Sequence, residues 1–252
     1  VAEGLHLAGL GLDGMLLSEA VEEGACGESY VPCVAQECGE DPLLPFPCGG
    51  CADNAICENG ACKTVEPVVA LCQRVLDDRA DLFEDVWEGA VDSCDPGVMS
   101  LEWQERALKS SNLYRWLVGQ PPLTLSAEAN PNLQECAVMM DAAKSLSHSP
   151  SESWPCYTSG GASGAGVSNL AGVAAVEAVD LYMVDPGNQT TIGHRRWILS
   201  DWIGSTGFGS TNGWSCMQVV SGFGGFGVPA SWIAWPPPEY YPMELHNVAY
   251  QT

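Results

Sequence analysis

The chain has twelve cysteines in 252 residues, and this content constrains its structure more than any other feature. An oxidising compartment allows such cysteines to pair, and an even number suits complete pairing. We therefore expect a secreted protein, extracellular or at the cell surface, in which every cysteine is bridged. The cysteines are Cys26, Cys33, Cys38, Cys48, Cys51, Cys57, Cys62, Cys72, Cys94, Cys136, Cys156 and Cys216.

Seven of the twelve cysteines lie within residues 25–63, a segment too short to bury a core of its own. We interpret it as a small disulfide-rich module. A zinc site is the alternative, because Cys48 and Cys51 have ligand spacing, but Cys57 and Cys62 fit a zinc ribbon poorly. Since seven is an odd number, we expect one bridge from this module to one of the five later cysteines.

The charge restricts the classes of partner. Thirty-two acidic residues against nine basic ones give a formal net charge of −23. Such a surface repels phosphate backbones and anionic headgroups, which argues against nucleic acid and against electrostatic membrane binding. The acids are scattered and form no calcium-loop pattern, so we interpret them mainly as solubilising groups, with a cation or a basic partner as the alternative.

Residues 1–24 are apolar and interrupted by glycine and acidic residues. They lack a basic beginning, and they are too short and too charged to cross a bilayer, so they predict neither a signal peptide nor a transmembrane segment. Because the chain begins at Val1, we expect the mature product of a cleaved precursor. The segment either packs on its own domain or forms an arm that docks on another molecule, which would allow self-association into a surface layer or filament.

The remainder, residues 64–252, changes to patterns of helices followed by strands, which predicts the α+β class. Glycines 160 to 166 predict a flexible loop. The spacing of apolar residues predicts helices over 68–94, 100–119, 132–149 and 174–185, and strands over 197–204, 213–227 and 229–242.

Six motifs follow one another between residue 103 and about residue 220. They are Asn112-Leu-Tyr-Arg115, Gly119-Gln-Pro-Pro-Leu123, Leu146-Ser-His148-Ser149, Ser168-Asn-Leu-Ala171 at the start of a helix ending Leu181-Tyr-Met183, Gly193-His-Arg-Arg-Trp-Ile-Leu199, and Gly204-x-x-Gly207-x-Gly209. Their order resembles the CAP superfamily of cysteine-rich secretory, antigen 5 and pathogenesis-related 1 proteins, especially its bacterial members. The resemblance implies an α-β-α sandwich, here followed by an extended C-terminal segment, 221–252.

The resemblance also implies a shallow cleft with two histidines and two glutamates, which in some members binds zinc or another divalent cation. The histidines correspond to His148 and His194. One glutamate position is occupied by Ser168, beside Asn169, so that ligand is missing. The second acid corresponds to Asp185.

The residue chemistry by itself gives a related result. Two imidazoles and one carboxylate suit zinc or copper, with water completing the coordination. Asp185 or the 168–169 segment could instead accept a hydrogen bond that orients an imidazole. The structural alternatives are a helix-end role for His148 and a capping or core hydrogen bond for His194.

Arg195 and Arg196 follow His194 in a chain with few cations. We expect one of them to pair with a buried acid as an internal anchor, because a guanidinium group suits a carboxylate. The residues from Trp197 to Leu199 are then predicted to begin a buried strand. The glycines at 204, 207 and 209 would allow close approach of backbones.

Two functions remain. The first is a secreted, non-enzymatic binding or structural protein that associates with itself or with another extracellular protein. The alternative is a metal-dependent hydrolase of peptidase type working from the cleft of His148 and His194, for which Asp185 is the one candidate base. No nucleophile elbow, phosphate loop, zincin or dinucleotide motif occurs in the sequence.

Overall fold

A computed structural model describes residues 37–40, 47–52, 55–126, 128–220, 232–238, 241 and 245. The predicted arm over residues 1–24, Cys26, Cys33 and most of the segment 221–252 lie outside the described residues. The chain divides into two compact units, residues 1–70 and 71–252.

The first unit contains two antiparallel strand pairs. Strand β1 (Gly39–Glu40) pairs with β2 (Pro47–Gly49), and β3 (Ala55–Glu58) pairs with β4 (Ala61–Thr64). The turn between β3 and β4 is Asn59-Gly60, whose φ angles of 52° and 79° match the hairpin turn that this dipeptide favours. Disulfides Cys38–Cys57 and Cys51–Cys62 bridge this unit, and Cys48 is also disulfide-bonded. Cross-links thus supply the stability that a segment with so little apolar core lacks.

Six helices and five further strands follow in the described residues. The helices are α1 (Pro67–Arg79), α2 (Leu101–Leu117), α3 (Asn130–Ala143), α4 (Ser159–Gly166), α5 (Ala175–Val184) and α6 (Gly193–Ile198). The strands are β5 (Thr124–Leu125), β6 (Ser168–Ala171), β7 (Ser205–Thr206), β8 (Phe208–Ser210) and β9 (Ser215–Gln218). Strands β6, β9 and β8 form an antiparallel sheet in that order, and β5 pairs in parallel with β7.

The three-stranded sheet is covered on both faces. Along β9, Cys216 packs into a core with α3 and α4 side chains, whereas Met217 packs into the core that contains α2 and α5. This alternation follows from the period of two along a strand. The predicted α+β class and its α-β-α layering are therefore confirmed.

The predicted helix over 68–94 is wrong beyond Arg79. The guanidinium group of Arg79 donates to both carboxylate oxygens of Asp180, at 3.1 and 2.8 Å, and draws the chain toward α5. Further on, the Trp87 backbone N–H donates to the Asn212 side-chain oxygen at 3.0 Å. Beyond Arg79, hydrogen bonds to residues distant in the sequence therefore replace the local hydrogen bonds of a helix. The third predicted helix also ends early, because Lys144 adopts a left-handed conformation with φ of 49°.

The glycine-rich segment is the clearest departure from the sequence prediction, because it forms helix α4 and not a loop. Thr158 caps the helix by accepting the Gly161 N–H at 2.8 Å. A Cβ on Gly164 would lie 2.6 Å from the carbonyl oxygen of Asn132 in α3. The glycines allow two helix backbones to approach closely, and this packing outweighs the poor intrinsic helix propensity of glycine.

Two further predictions of secondary structure are also corrected, one of a helix and one of a strand. The segment from Ser168 to Ala171 is strand β6 and not the start of a helix, while the segment predicted as a strand from Trp197 begins inside α6. In α6 Ile198 is buried and Trp197 is 37% exposed, so one side of a helix faces the core. The helices predicted over 100–119 and 174–185 are confirmed as α2 and α5, and the prediction over 213–227 is confirmed at β9.

The cysteines of the second unit correct two predictions. Cys94 pairs with Cys156 and Cys136 pairs with Cys216, whereas Cys72 is an exposed free thiol on α1. The predicted bridging of Cys72 is therefore wrong, and none of the five later cysteines forms the predicted bridge to the module. The prediction that an even number of cysteines pairs completely assumes that every cysteine lies within reach of another. Helix α1 instead places the Cys72 side chain on its solvent side.

Candidate functional site

Four of the predicted site residues line one cleft of about 310 Å³: His148, His194, Ser168 and Asn169. They come from three places in the chain, namely the segment after α3, strand β6 and helix α6. The sheet and the helices packed on it bring these segments together. The predicted pairing of the two histidines in one cleft therefore matches their positions in the structure.

The tautomer of His148 follows from its hydrogen bond. Its Nδ1 lies 3.0 Å from the carbonyl oxygen of Ala165, in α4. A carbonyl oxygen only accepts, so Nδ1 carries the hydrogen and Nε2 keeps its lone pair. The exposed His148 ring thus offers Nε2 as an acceptor or a metal ligand.

The tautomer of His194 follows in the same way. Its Nδ1 lies 2.7 Å from Oδ1 of Asp185, and a carboxylate oxygen accepts. The His194 ring also packs against the ring of Tyr182, with centroids 5.3 Å apart. Both histidines therefore use Nδ1 to hold the ring in place and leave Nε2 free to bind, which is the usual arrangement of metal-ligating histidines.

Asp185 is the residue that orients His194. It ends α5 in a left-handed conformation, with φ of 58°, and its side chain is fully buried. Besides the imidazole, its carboxylate accepts the backbone N–H of His194 at 3.1 Å and of Arg195 at 3.4 Å, and the Asn188 amide at 3.2 Å. Of the two roles that the sequence allowed, the structure places Asp185 in the orienting role, behind the ring and not among the residues that line the cleft.

Ser168 and Asn169 support the cleft without supplying a charge. The Ser168 hydroxyl donates to the carbonyl oxygen of Gly164 at 2.7 Å. The Asn169 amide donates to the carbonyl oxygen of His194 at 3.1 Å, and the Asn169 carbonyl accepts the Tyr182 hydroxyl at 3.0 Å. The position that carries a glutamate in the family that the motifs resemble thus holds a serine, whose hydroxyl is hydrogen-bonded to Gly164.

Arg195 is the internal anchor that the sequence predicted in this motif. Its Nε donates to the carbonyl oxygen of Met183 at 2.5 Å, and its Nη2 donates to that of Val184 at 3.0 Å. These are carbonyls of the last turn of α5, which lack helical partners and attract cations. These bonds are to main-chain oxygens, whereas the sequence analysis had expected a buried acid as the partner of the anchor.

A cysteine zinc site is excluded in the described part of the first unit. Among the described residues, the one group of three ligand atoms within 4.8 Å of one another belongs to Cys38, Cys51 and Cys62. All three sulfurs are in disulfides and cannot act as thiolate ligands. In the second unit, His148 and His194 are the described cleft residues whose imidazole nitrogens could hold a cation.

Helices on both faces of an antiparallel sheet, with two oriented histidines in a cleft, define an α-β-α sandwich domain with a candidate ligand site. Residues 108–223 match the model of the CAP family, the cysteine-rich secretory protein family. The chain therefore contains a CAP domain, which confirms the family that its motifs resemble. No curated protein and no solved structure matches the chain.

Among the described residues, no helix combines the length and the apolar character needed to cross a bilayer.

Proposed function

We propose that this protein is a secreted, non-enzymatic binding protein whose CAP domain takes a divalent transition-metal cation, zinc above all, between His148 and His194. The observation that carries the proposal is the state of the two rings. Both Nδ1 atoms are engaged as donors, to Ala165 and Asp185, and both Nε2 atoms keep their lone pairs at one cleft. The bound cation would link the two rings and could offer its open positions to an extracellular partner.

The composition of the cleft supports binding over hydrolysis. A metal-dependent hydrolase needs a general base within reach of the cation. Ser168 stands where the family has a glutamate, its hydroxyl donates to Gly164, and Asp185 is occupied with His194. No aspartate or glutamate is among the described residues that line the cleft. The alternative of a peptidase-like hydrolase therefore lacks the base that it requires.

The disulfides support secretion. Cys94–Cys156 and Cys136–Cys216 close loops with sequence separations of 62 and 80 residues. Bridges of this kind persist in oxidising environments and are rare where thiols are kept reduced.

Zinc binding by the intact chain tests the proposal. We expect one site by isothermal titration calorimetry, lost in His148→Ala and in His194→Ala because each removes a ligand. Asp185→Asn should weaken binding about 10- to 100-fold, since the orienting carboxylate on His194 becomes an amide. Ser149→Ala, at the exposed position beside His148, is the matched control and should bind zinc as the unmodified chain does.

Two outcomes would contradict the proposal. Zinc affinity that is unchanged in both histidine variants would remove the cleft as the site. The second is hydrolysis of a peptide substrate by the zinc-loaded protein. If the unmodified chain hydrolyses the peptide and His148→Ala and His194→Ala do not, the cleft is catalytic and the proposal of a non-enzymatic protein is wrong.

Self-association through residues 1–24 is the second part of the proposal. Apolar segments of this kind can dock on a neighbouring molecule as an added strand. We expect light scattering to show a large assembly for the intact chain and a monomer for a chain that lacks residues 1–24. If the intact chain and the shortened chain are both monomers, residues 1–24 have no role in assembly.

A further inference from the structure

Helix α6 separates two concave sites. Gly193, His194 and Trp197 line the histidine cleft, whereas Arg195 and Arg196 line a second cavity of about 440 Å³. Residues three and four apart share one side of a helix, so the two sets face opposite ways. The two cavities have no lining residue in common among the described residues.

One part of the wall of the second cavity is aromatic and aliphatic. Trp235 is held by edge-on contacts with Tyr114 and Tyr241, with ring centroids 5.4 and 5.2 Å apart. Trp232 lines the same cavity and is 72% exposed. Ile233 lies between the two tryptophans in the sequence and also lines the cavity. A fixed indole and an exposed one form a surface that suits a flat or aliphatic ligand body.

Arg196 gives this cavity an uncommitted positive charge. The chain has nine basic residues, all of them described, and eight donate hydrogen bonds to protein oxygens. The carboxylate partners are Glu58 for Lys63, Asp78 for Arg74, Asp180 for Arg79, Glu102 for Arg106 and Asp141 for Lys144, while Lys109, Arg115 and Arg195 donate to main-chain carbonyls. Within the described residues, the Arg196 side chain makes no hydrogen bond or ion pair, and it is exposed.

We propose that the second cavity binds an apolar carboxylate, with the carboxylate on the Arg196 guanidinium and the apolar body against Trp232, Ile233 and Trp235. A guanidinium group matches a carboxylate through two parallel hydrogen bonds. The net charge of −23 repels polyanions, so a single negative charge on an apolar body is the chemistry that enters here. A volume of about 440 Å³ accommodates a small organic acid or the C-terminal residues of a peptide.

Calorimetry on the intact chain with a charged probe and its neutral analogue tests the proposal. We expect 4-butylbenzoate to bind at least about 10-fold more tightly than 4-butylbenzamide, because the amide cannot form the ion pair with Arg196. Arg196→Gln should reduce 4-butylbenzoate binding by a similar factor, and Trp232→Ala should also weaken it. Arg74→Gln, which makes the same charge change elsewhere on the protein, is the control and should leave binding unchanged.

A second pair of probes distinguishes the two sources of the carboxylate. If acetyl-Leu-Phe with a free C-terminus binds more tightly than 4-butylbenzoate, and its C-terminal amide binds more weakly, the site recognises a peptide end. If 4-butylbenzoate binds more tightly than acetyl-Leu-Phe, the site recognises a free organic acid. Either order of the two affinities supports the proposal. Equal binding of each acid and its amide, binding that is unaffected by Arg196→Gln, or no binding of any probe would overturn it.

Two further measurements show whether a variant reports on the site itself. Because the Arg196 side chain is exposed and makes no hydrogen bond or ion pair within the described residues, Arg196→Gln should melt at the temperature of the unmodified chain. His148→Ala should bind 4-butylbenzoate normally, since the two cavities share no described lining residue. If the cleft of His148 and His194 binds no metal, this inference about the second cavity is unaffected. If the second cavity binds no carboxylate, the proposal of a metal site is likewise unaffected.

Discussion

Gly209→Ala is expected to lower the free energy of unfolding by about 4 kcal/mol, which is at the upper end for a single substitution. A Cβ on Gly209 would lie 2.1 Å from the carbonyl carbon and oxygen of Leu133 and 2.3 Å from the backbone nitrogen of Gln134. These are main-chain atoms of α3, which cannot rotate away as a side chain can. Denaturant unfolding followed by tryptophan fluorescence gives the measurement.

The sheet cannot relieve this clash by moving away from α3. Beside Gly209, the Ser210 N–H donates to the Gln134 side-chain oxygen at 3.0 Å, and the Gln134 amide donates back to the Ser210 carbonyl at 2.7 Å. Gly209 is also paired in register with Cys216, which is bridged to Cys136, one turn along α3. Two hydrogen bonds and a disulfide thus hold strand and helix at the distance that the glycine permits.

Gly213→Ala is the matched control, because a Cβ there meets no atom within 4 Å. We expect its free energy of unfolding to stay within about 0.5 kcal/mol of the unmodified value. Equal stability of the two variants would show that α3 and β8 are not in backbone contact.

Arg115→Met is expected to cost about 3–5 kcal/mol of folding free energy, because it leaves several buried carbonyls without a donor, at about 1–3 kcal/mol for each unsatisfied group. Arg115 is 1% exposed. Its guanidinium group donates to four main-chain carbonyls, at distances between 2.7 and 3.4 Å, namely those of Pro121, Ile198, Ser200 and Ile203. Methionine would fill much of the space but leave these carbonyls without that donor.

The electrostatics of Arg115 explain why the cost is large. Burial lowers the pKa of Arg115 to about 10, so the group remains charged at neutral pH. The carbonyl oxygens offset the desolvation of that charge and fix the segment that follows α6 to α2. Arg115→Lys should also destabilise, because an ammonium group lacks the planar fork that reaches several acceptors.

Arg74→Met provides the control for Arg115→Met. Arg74 is on the exposed side of α1 and pairs with Asp78, at 2.5 Å, one turn away. Surface pairs of this kind contribute about 0–1 kcal/mol, so we expect little change in the denaturation midpoint. A loss for Arg115→Met no larger than that of the control would mean that water replaces the guanidinium group at the carbonyls.

The features that could be predicted from sequence are those that local residue patterns determine. Helix α2 has an apolar spacing and a Ser100 cap, whose side chain accepts the Trp103 N–H at 3.1 Å. His148 and His194 were found through their motifs, and the serine at 168 showed that a ligand of the family was missing. Each of these depends on residues close together in the chain.

The features that sequence analysis missed depend on distant partners. Helix α4 forms because glycines fit against Asn132 and its neighbours in α3. The predicted first helix ends at Arg79 because that side chain reaches Asp180, 101 residues away. The burial of Arg115 could not be inferred, since three of its acceptors, Ile198, Ser200 and Ile203, lie at or after the end of α6, where the sequence pattern had indicated a strand.

By itself, the sequence determined the family of the domain, its α+β class, the oxidised state of most cysteines and the two histidines of the cleft, because residue types at short spacings specify these features. Only the tertiary structure decided which nitrogen of each histidine is free, because Ala165 and Asp185 reach Nδ1 from other elements. It also decided that Arg195 anchors α5 while Arg196 faces an open cavity. Adjacent residues of one type differ here in function because hydrogen-bond partners are set by the packing of the whole domain, which no local pattern encodes.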